Sequence, residues 1–226
     1  TSIVIGSDNL TIQCMSILLA KKHILLGVIS SAENVKQWCI TNSISHFETF
    51  NDLKKHNSHL NVDILFSIVN EQILPSSVLE YPRIGAINYH NSQLPKYAGL
   101  YVTSWAILNG ETEHAITWHW MKAQVDAGDI LKQLRFSIDS KETALTLNLK
   151  CYEHAVQAFG ELLDEGSAAR GFEKRVAAAP EHRKRGALAG LEHDYRDDER
   201  ESHQDVHEKN EVIHCSSGTR FAVMAF

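Results

Sequence analysis

Asn88 and His90 are polar residues that follow directly on an apolar run, residues 84–87. If that run is a strand, their side chains share one face, because side chains alternate along a strand. Burying an amide or an imidazole without a partner costs on the order of 1–3 kcal/mol, so the pair either satisfies itself or faces a cleft. Clefts in open α/β sheets form at the carboxyl ends of strands, where this pair lies, and this favours a functional role.

A third candidate is Asp126, in a turn between two strand-like stretches. Gly128, shortly after it, permits an unusual backbone turn that would let the carboxylate point into the cleft. A carboxylate beside a histidine orients the imidazole and raises its pKa, which suits acid–base chemistry. Taken alone, Asp126 is better explained as a solvated turn residue than as a functional one. Only the presence of Asn88 and His90 favours a functional role for it.

The elements that would position these residues alternate between β-rich and helical patterns, which is typical of crossover units on a mostly parallel sheet. The fold class expected is therefore α/β, a doubly wound, mostly parallel, Rossmann-like sheet. Strands are predicted at residues 2–6, 24–30, 44–47, 62–68, 84–90, 115–121 and 130–136. Helices are predicted near residues 9–22, 33–42, 50–56, 75–80 and 142–165.

The turn after the first strand, Gly6-Ser7-Asp8-Asn9, lacks the glycine fingerprint of dinucleotide sites. A nicotinamide or flavin cofactor is therefore not expected there. Free backbone N–H groups at the start of the following helix could still hold a polar or anionic group, with Ser7 and Asn9 beside it. Ser7 or Asp8 could equally serve only as the helix cap.

Charge and cysteine content argue against several classes of function. Acidic residues outnumber basic ones, 28 to 22, so no broad positive field for nucleic acid or anionic membranes is indicated. No apolar run approaches the length of a membrane span, and we expect a cytoplasmic protein. The four cysteines are widely scattered, which argues against a structural metal site or a redox pair.

Composition changes near residue 166. Charged residues of both signs are denser beyond it, and no long apolar stripe remains. We predict a catalytic domain over residues 1–166 and an irregular, poorly ordered charged tail over residues 167–226. The histidines of the tail have no enforced geometry and are not expected to bind a metal.

Several spaced motifs together resemble one known family, the formyltransferases that use 10-formyltetrahydrofolate. They agree in order, and the resemblance runs through most of residues 1–165. Within the family, the chain looks closest to the formylation domains of nonribosomal peptide synthetases and to amino-sugar formyltransferases. The motifs are Asn88-x-His90, Ser92-x-Leu94-Pro95-x-Tyr97-x-Gly99, Trp105-Ala106-Ile107-x-Asn109-Gly110-Glu111, Thr117-x-His119 and Asp126-Ala127-Gly128-Asp129-Ile130.

The resemblance implies a catalytic trio of Asn88, His90 and Asp126. Asn88 and His90 would donate hydrogen bonds to an oxyanion, while Asp126 would orient His90, tune its charge and assist proton transfer. For His119, packing is favoured over a role in the site. The residues assigned to folate binding are Asn70, Glu71, Gln72, Ile73, Leu74, Gln124 and Asp129. The residues assigned to acceptor binding are Ser7, Asn9, Ser92 and Tyr97, the last on a loop expected to close over the site.

The function that the resemblance implies is transfer of a formyl group from 10-formyltetrahydrofolate, without a metal, to a primary amine. The acceptor expected first is an aminoacyl group on a peptidyl carrier protein, with that protein and adjacent synthetase domains as partners. The tail lacks the alternating strands of a tRNA-reading barrel, so a nucleic-acid partner is disfavoured. Alternatives are an amino-sugar nucleotide or methionyl-tRNA formyltransferase, a formyltetrahydrofolate hydrolase, and an inactive folate-binding domain.

Overall fold

Strands and helices alternate along the computed structural model, which describes residues 1–56 and 60–167. The strands are β1 (Ser2–Gly6), β2 (Leu25–Ile29), β3 (His46–Phe47), β4 (Ile64–Ile68), β5 (Gly85–His90), β6 (Glu113–Trp120) and β7 (Ile130–Ser137). The helices are α1 (Asn9–Ala20), α2 (Glu33–Thr41), α3 (Phe50–His56), α4 (Ser76–Leu79), α5 (Val102–Leu108) and α6 (Ala144–Ser167).

The strands form one seven-stranded sheet in the order β3-β2-β1-β4-β5-β6-β7. β1 to β5 are parallel, whereas β6 and β7 continue the sheet antiparallel. Parallel neighbours direct their carboxyl ends to one edge of the sheet, so the loops after β1, β4 and β5 emerge together. This is the edge at which Asn88 and His90 lie.

Apolar residues on the central strands alternate between two faces, and each face is covered by helices. Val4 and Phe66 pack in one cluster with residues of α1, α2 and α6. Ile3 and Leu65, their neighbours along the chain, pack in a second cluster with residues of α3 and α4. Burial of strands on both faces explains their continuous apolar runs. The predicted doubly wound α/β fold is confirmed.

The turn from β1 to α1 is close-packed. A Cβ on Gly6 would lie 2.2 Å from the carbonyl oxygen of Ile68, so only glycine fits between β1 and β4 at this point. Asp8 is the N-cap of α1 and forms a capping box with Thr11. The cap interpretation of Asp8 is therefore correct.

Helix α5 was not predicted from the sequence. It is short and begins with two β-branched residues, Val102 and Thr103, which are poor helix formers. Its N-cap, Tyr101, has a left-handed backbone (φ 58°) and supplies no side-chain cap. Trp105 and Leu108 are exposed, so the apolar pattern does not mark a buried face.

The other predicted elements are present, with differences at their ends. β3 pairs over only two residues, and α6 begins at Ala144 rather than near residue 142. The tail predicted over residues 167–226 lies outside the described residues, except for Ser167 at the end of α6. No helix of the described part is long and apolar enough to cross a bilayer.

Candidate active site

Antiparallel pairing of β5 with β6 places Asn88 directly opposite His119. Nδ2 of Asn88 lies 3.3 Å from Nε2 of His119. Nδ1 of His119 donates to the backbone carbonyl of Trp120 at 2.9 Å, so in the neutral ring Nε2 is the acceptor for the Asn88 amide. His119 was expected to serve in packing, but it is part of the polar cluster as well as buried.

Asp126 lies between two imidazoles. Its Oδ2 is 3.6 Å from Nδ1 of His90, and its Oδ1 is 3.6 Å from Nε2 of His119. The backbone N–H of Gly99 donates to Oδ2 at 2.9 Å. The carboxylate, although it comes from a surface turn, is 7% exposed. The chain thus brings His90, His119 and Asp126 together with Asn88.

The turn that carries Asp126 has a constrained backbone. Asp126 is in the left-handed region (φ 53°), which is uncommon for a residue with a Cβ. A Cβ on Gly128 would lie 1.5 Å from the carbonyl oxygen of Trp120, so this position requires glycine because the turn folds back on the end of β6. The expectation that Gly128 lets the carboxylate turn inward agrees with this geometry.

Burial and the neighbouring polar groups together set the charge state of the cluster. Burial lowers the pKa of His90, and the Tyr97 carbonyl and Asp126 only partly oppose this. Burial on its own would raise the pKa of Asp126, but the nearby His119 ring, the hydrogen bond from the Gly99 N–H and the charge of His90 outweigh it, and that pKa is lowered. Asp126 is therefore ionised near neutrality. Asp126 raises the pKa of His90, as expected from the sequence, but desolvation is the larger effect and the net shift is downward.

Ser92 and Tyr97 hold the loop after β5. The Ser92 hydroxyl is fully buried and donates to the carbonyls of Lys96 and Tyr97. The Tyr97 phenol donates to Glu111 at 2.7 Å, and its backbone carbonyl accepts from Nε2 of His90 at 2.8 Å. Both residues were predicted to bind the acceptor, and in this conformation their polar atoms are engaged within the protein instead.

Ser7 and Asn9 lie exposed at the start of α1. The Ser7 hydroxyl donates to the carbonyl of Val69, and Oδ1 of Asn9 accepts from Asn34. The Asp8 carboxylate accepts hydrogen bonds from the helix N-terminus, and it also accepts one from the Tyr152 hydroxyl at 2.8 Å. The N-terminus of α1 is therefore already paired with a carboxylate of the protein, that of Asp8.

The predicted folate-binding residues fall in two exposed segments. Asn70 shapes the first segment, because its side chain bonds both backbone groups of Gln72. Ile73 is 78% exposed, whereas Leu74 packs against the second core cluster. In the second segment, Asp129 pairs with Lys122 at 3.1 Å. Glu71 and Gln124 are exposed. Among the described residues no group of side chains is arranged to hold a metal ion.

Comparison with known proteins identifies the family. The model of the family described as formyl transferase matches residues 19–163. Methionyl-tRNA formyltransferase of Clostridioides difficile (strain 630) is 28% identical over 187 residues, which is 74% of this chain and 60% of that protein. The chain thus spans about three fifths of that relative.

Solved structures share the fold. Phosphoribosylglycinamide formyltransferase from Coxiella burnetii has a TM-score of 0.61 at 25% identity, covering 72% of this chain and 83% of that one. The N-formyltransferase from Helicobacter canadensis, in complex with folinic acid and dTDP-3-aminofucose, has a TM-score of 0.62 at 22% identity, covering 77% and 64%. Since the family model matches more than half of the residues, this chain belongs to the formyl transferase family.

Proposed function

We propose that this chain transfers a formyl group from 10-formyltetrahydrofolate to a primary amine. The observation that carries the proposal is the buried Asp126 carboxylate, which lies 3.6 Å from both His90 and His119 in a chain of the formyl transferase family. A cluster of this kind can exchange protons with reactants in a cleft. The folate derivative bound by the Helicobacter canadensis enzyme supports a folate donor.

In the proposed reaction the neutral amine attacks the formyl carbon, and the carbonyl π electrons move onto oxygen. Asn88 and His90 stabilise this oxyanion by donating hydrogen bonds. The bond from the formyl carbon to N10 of the folate then breaks, and N10 keeps the electron pair. The amine nitrogen loses one proton and N10 gains one, so the products are a formamide and tetrahydrofolate.

Asp126 acts on the charges that develop during this reaction. Because its pKa is lowered, it carries a negative charge near neutrality. That charge favours a protonated His90 when the amine releases its proton, and it orients the ring through Nδ1. The carboxylate is held by the Gly99 N–H, so it needs little reorganisation as the oxyanion forms.

The donor would lie beside the loop after β4. Ser67 pairs with Asn88, so the loop that follows β4 starts next to the end of β5. The side chain of Ile73 is exposed there, and an aromatic ring system that covers it removes apolar surface from water, which stabilises the bound donor. Asn70 fixes the turn by bonding both backbone groups of Gln72, so a pterin would form its hydrogen bonds with other backbone groups of the loop. Direct contacts by Glu71, Gln72, Gln124 and Asp129 stay predictions.

The acceptor would not be anchored by a phosphate at the start of α1. Asp8 already supplies a negative charge to that helix end, and a second anion beside it would be repelled. Methionyl-tRNA and an amino-sugar nucleotide are acceptor candidates because the names of the relatives refer to them. The aminoacyl carrier protein expected from the sequence has no support from these relatives and stays a prediction.

A screen by mass spectrometry tests the proposal. Aminoacyl carrier protein, an amino-sugar nucleotide and initiator methionyl-tRNA are each offered with 10-formyltetrahydrofolate, and the formamide and free formate are measured. We expect one amine to gain a formyl group. Formate released at the same rate with and without every amine would instead identify a hydrolase.

The same assay tests the catalytic assignment. We expect Asn88→Ala, His90→Ala and Asp126→Asn each to lower kcat by about a hundred-fold or more, with donor binding retained, because they act on the transition state. Combined variants should lose less than the product of the single losses. Glu153→Gln, on an exposed position of α6, serves as the control. Normal turnover by the triple variant would refute the assignment.

A further inference from the structure

Tyr97 is held at its side chain by polar residues around the turn from α5 to β6. Its phenol donates to Oε1 of Glu111 at 2.7 Å and accepts from Nδ2 of Asn109 at 2.8 Å. Nζ of Lys96 lies 2.6 Å from the same Glu111 oxygen. Hydrogen bonds from Lys96 and Tyr97 lower the pKa of Glu111, which is therefore an ionised acceptor near neutrality.

Tyr97 is also held at its backbone. Its carbonyl oxygen accepts from Nε2 of His90 at 2.8 Å and from the buried Ser92 hydroxyl at 2.8 Å. Its φ of 59° is in the left-handed region, which a residue with a large side chain adopts when its surroundings impose it. The contacts at both ends of Tyr97 thus determine where its carbonyl points.

That carbonyl determines which nitrogen of His90 carries a proton. A carbonyl oxygen only accepts, so Nε2 must bear the hydrogen. In the neutral ring Nδ1 then has the free lone pair, and Nδ1 is the nitrogen that lies 3.6 Å from Asp126. The nitrogen of His90 that remains for the reactants is therefore Nδ1.

We propose that Glu111 is a positioning residue, which acts through Tyr97 to keep the Tyr97 carbonyl on Nε2 of His90 and so leaves Nδ1 for proton transfer. This inference rests on the proposed function. Nδ1 takes the proton that the attacking amine loses, and the imidazolium formed donates its Nδ1–H to the oxyanion. The proton then passes to N10 as the bond from the formyl carbon breaks, so the amine loses one proton and the folate gains one.

Glu111 is separable from its neighbours by substitution. Tyr97→Phe removes only the phenol that Glu111 holds and keeps the ring. Glu111→Ala removes the acceptor, while Glu111→Gln keeps an oxygen that can accept from the phenol. Lys96→Met removes the other partner of Glu111, together with the ammonium that lies 5.2 Å from the centre of the Tyr97 ring. It leaves the hydrogen bond between Tyr97 and Glu111 in place, so it is the matched control.

The first readout is the tautomer of His90, observed by long-range ¹H–¹⁵N NMR of protein labelled at histidine, with His90→Gln to assign the signal. We expect an Nε2–H tautomer with a slowly exchanging proton in the parent, in Lys96→Met and in Glu111→Gln. We expect Tyr97→Phe and Glu111→Ala to show a mixture of tautomers and faster exchange. An unchanged His90 signal in both of these variants would overturn the proposal.

The second readout is kinetic. Tyr97→Phe and Glu111→Ala should lower kcat by about ten- to a hundred-fold with little change in KM for the donor, because a misplaced ring affects the reaction more than binding. Glu111→Gln should restore most of kcat. A change in KM alone would contradict positioning of His90. The NMR experiment needs no turnover, so a chain that formylates no amine but shows the expected tautomers would refute the proposed function and support this inference.

Discussion

Asp126 combines an uncommon backbone conformation with a proposed role in proton transfer. Its left-handed backbone and the close approach of Gly128 to Trp120 bring a carboxylate from a turn into contact range of two imidazoles. Such strain persists only where surrounding contacts impose it, and it is often found at functional sites. Asp126 should therefore affect the pH dependence of the reaction as well as its rate.

Replacement of Asp126 by Asn tests this at the scale of the residue. Asp126 raises the pKa of His90 against the larger lowering by burial, so its loss should lower that pKa further. The acid limb of kcat/KM, where activity rises as His90 and the amine lose protons, should move to lower pH, and the plateau should fall by about a hundred-fold. A pH series of kcat/KM for the parent, Asp126→Asn and the Glu153→Gln control measures both effects. Profiles that differ only by a constant factor would mean that Asp126 does not tune His90.

At the scale of elements, the site depends on the two antiparallel strands at one end of the sheet. β6 supplies His119 opposite Asn88, and the turn from β6 to β7 supplies Asp126. Thr117 of β6 also donates to the Ser92 carbonyl at 2.6 Å, which anchors the loop after β5. The site is thus held by hydrogen-bonded strands on one side and by a loop clamped to β6 on the other.

Two glycine substitutions test how closely the turn is packed. Gly128→Ala would place a Cβ 1.5 Å from the Trp120 carbonyl, so the turn must shift; we expect a loss of about 1–3 kcal/mol in the free energy of unfolding and a large loss of activity. Gly160 in α6 has open space around it, and Gly160→Ala should increase that free energy by about 0.5–1 kcal/mol. Urea denaturation of both variants measures the difference. Equal stability of Gly128→Ala and the parent would contradict the close approach.

At the scale of the whole molecule, histidines buried at the same edge of the sheet link protonation to folding. Burial lowers the pKa of His90 and of His114, which is 2% exposed. In the unfolded chain both titrate near the ordinary histidine pKa of about 6.5. Between that value and the lower folded pKa, the unfolded state binds more protons, so stability falls as the pH falls through this window.

Replacement of His114 by Gln should reduce this dependence. Each histidine that titrates only in the unfolded state contributes up to about 1.4 kcal/mol per pH unit to the slope of stability with pH. We expect the parent to lose stability as the pH falls below about 6.5 and the His114→Gln variant to lose less. Urea titrations at a series of pH values above and below about 6.5, with exposed His56→Gln as the control, measure the slopes. Identical slopes for parent and His114→Gln would rule out a contribution from His114.

The sequence by itself determined the fold class, the order of the strands and of every helix except α5, and the placement of Asn88 and His90 at the end of a strand. These features depend on local periodicity and on the alternation of side chains, which are visible along the chain. The motif resemblance also identified the family to which the chain belongs. Helix α5 could not be predicted in this way, because it begins with β-branched residues and its exposed apolar residues show no helical periodicity.

Only the tertiary structure decided what surrounds His90. His119 enters the cluster through the antiparallel register of β5 with β6, which no local pattern specifies. Ser92 and Tyr97 hold the loop because their partners, Lys96 and Glu111, come into reach only when the chain folds back. The pKa of His90 is lowered because desolvation depends on everything packed around the ring, whereas the sequence indicated only the neighbouring carboxylate.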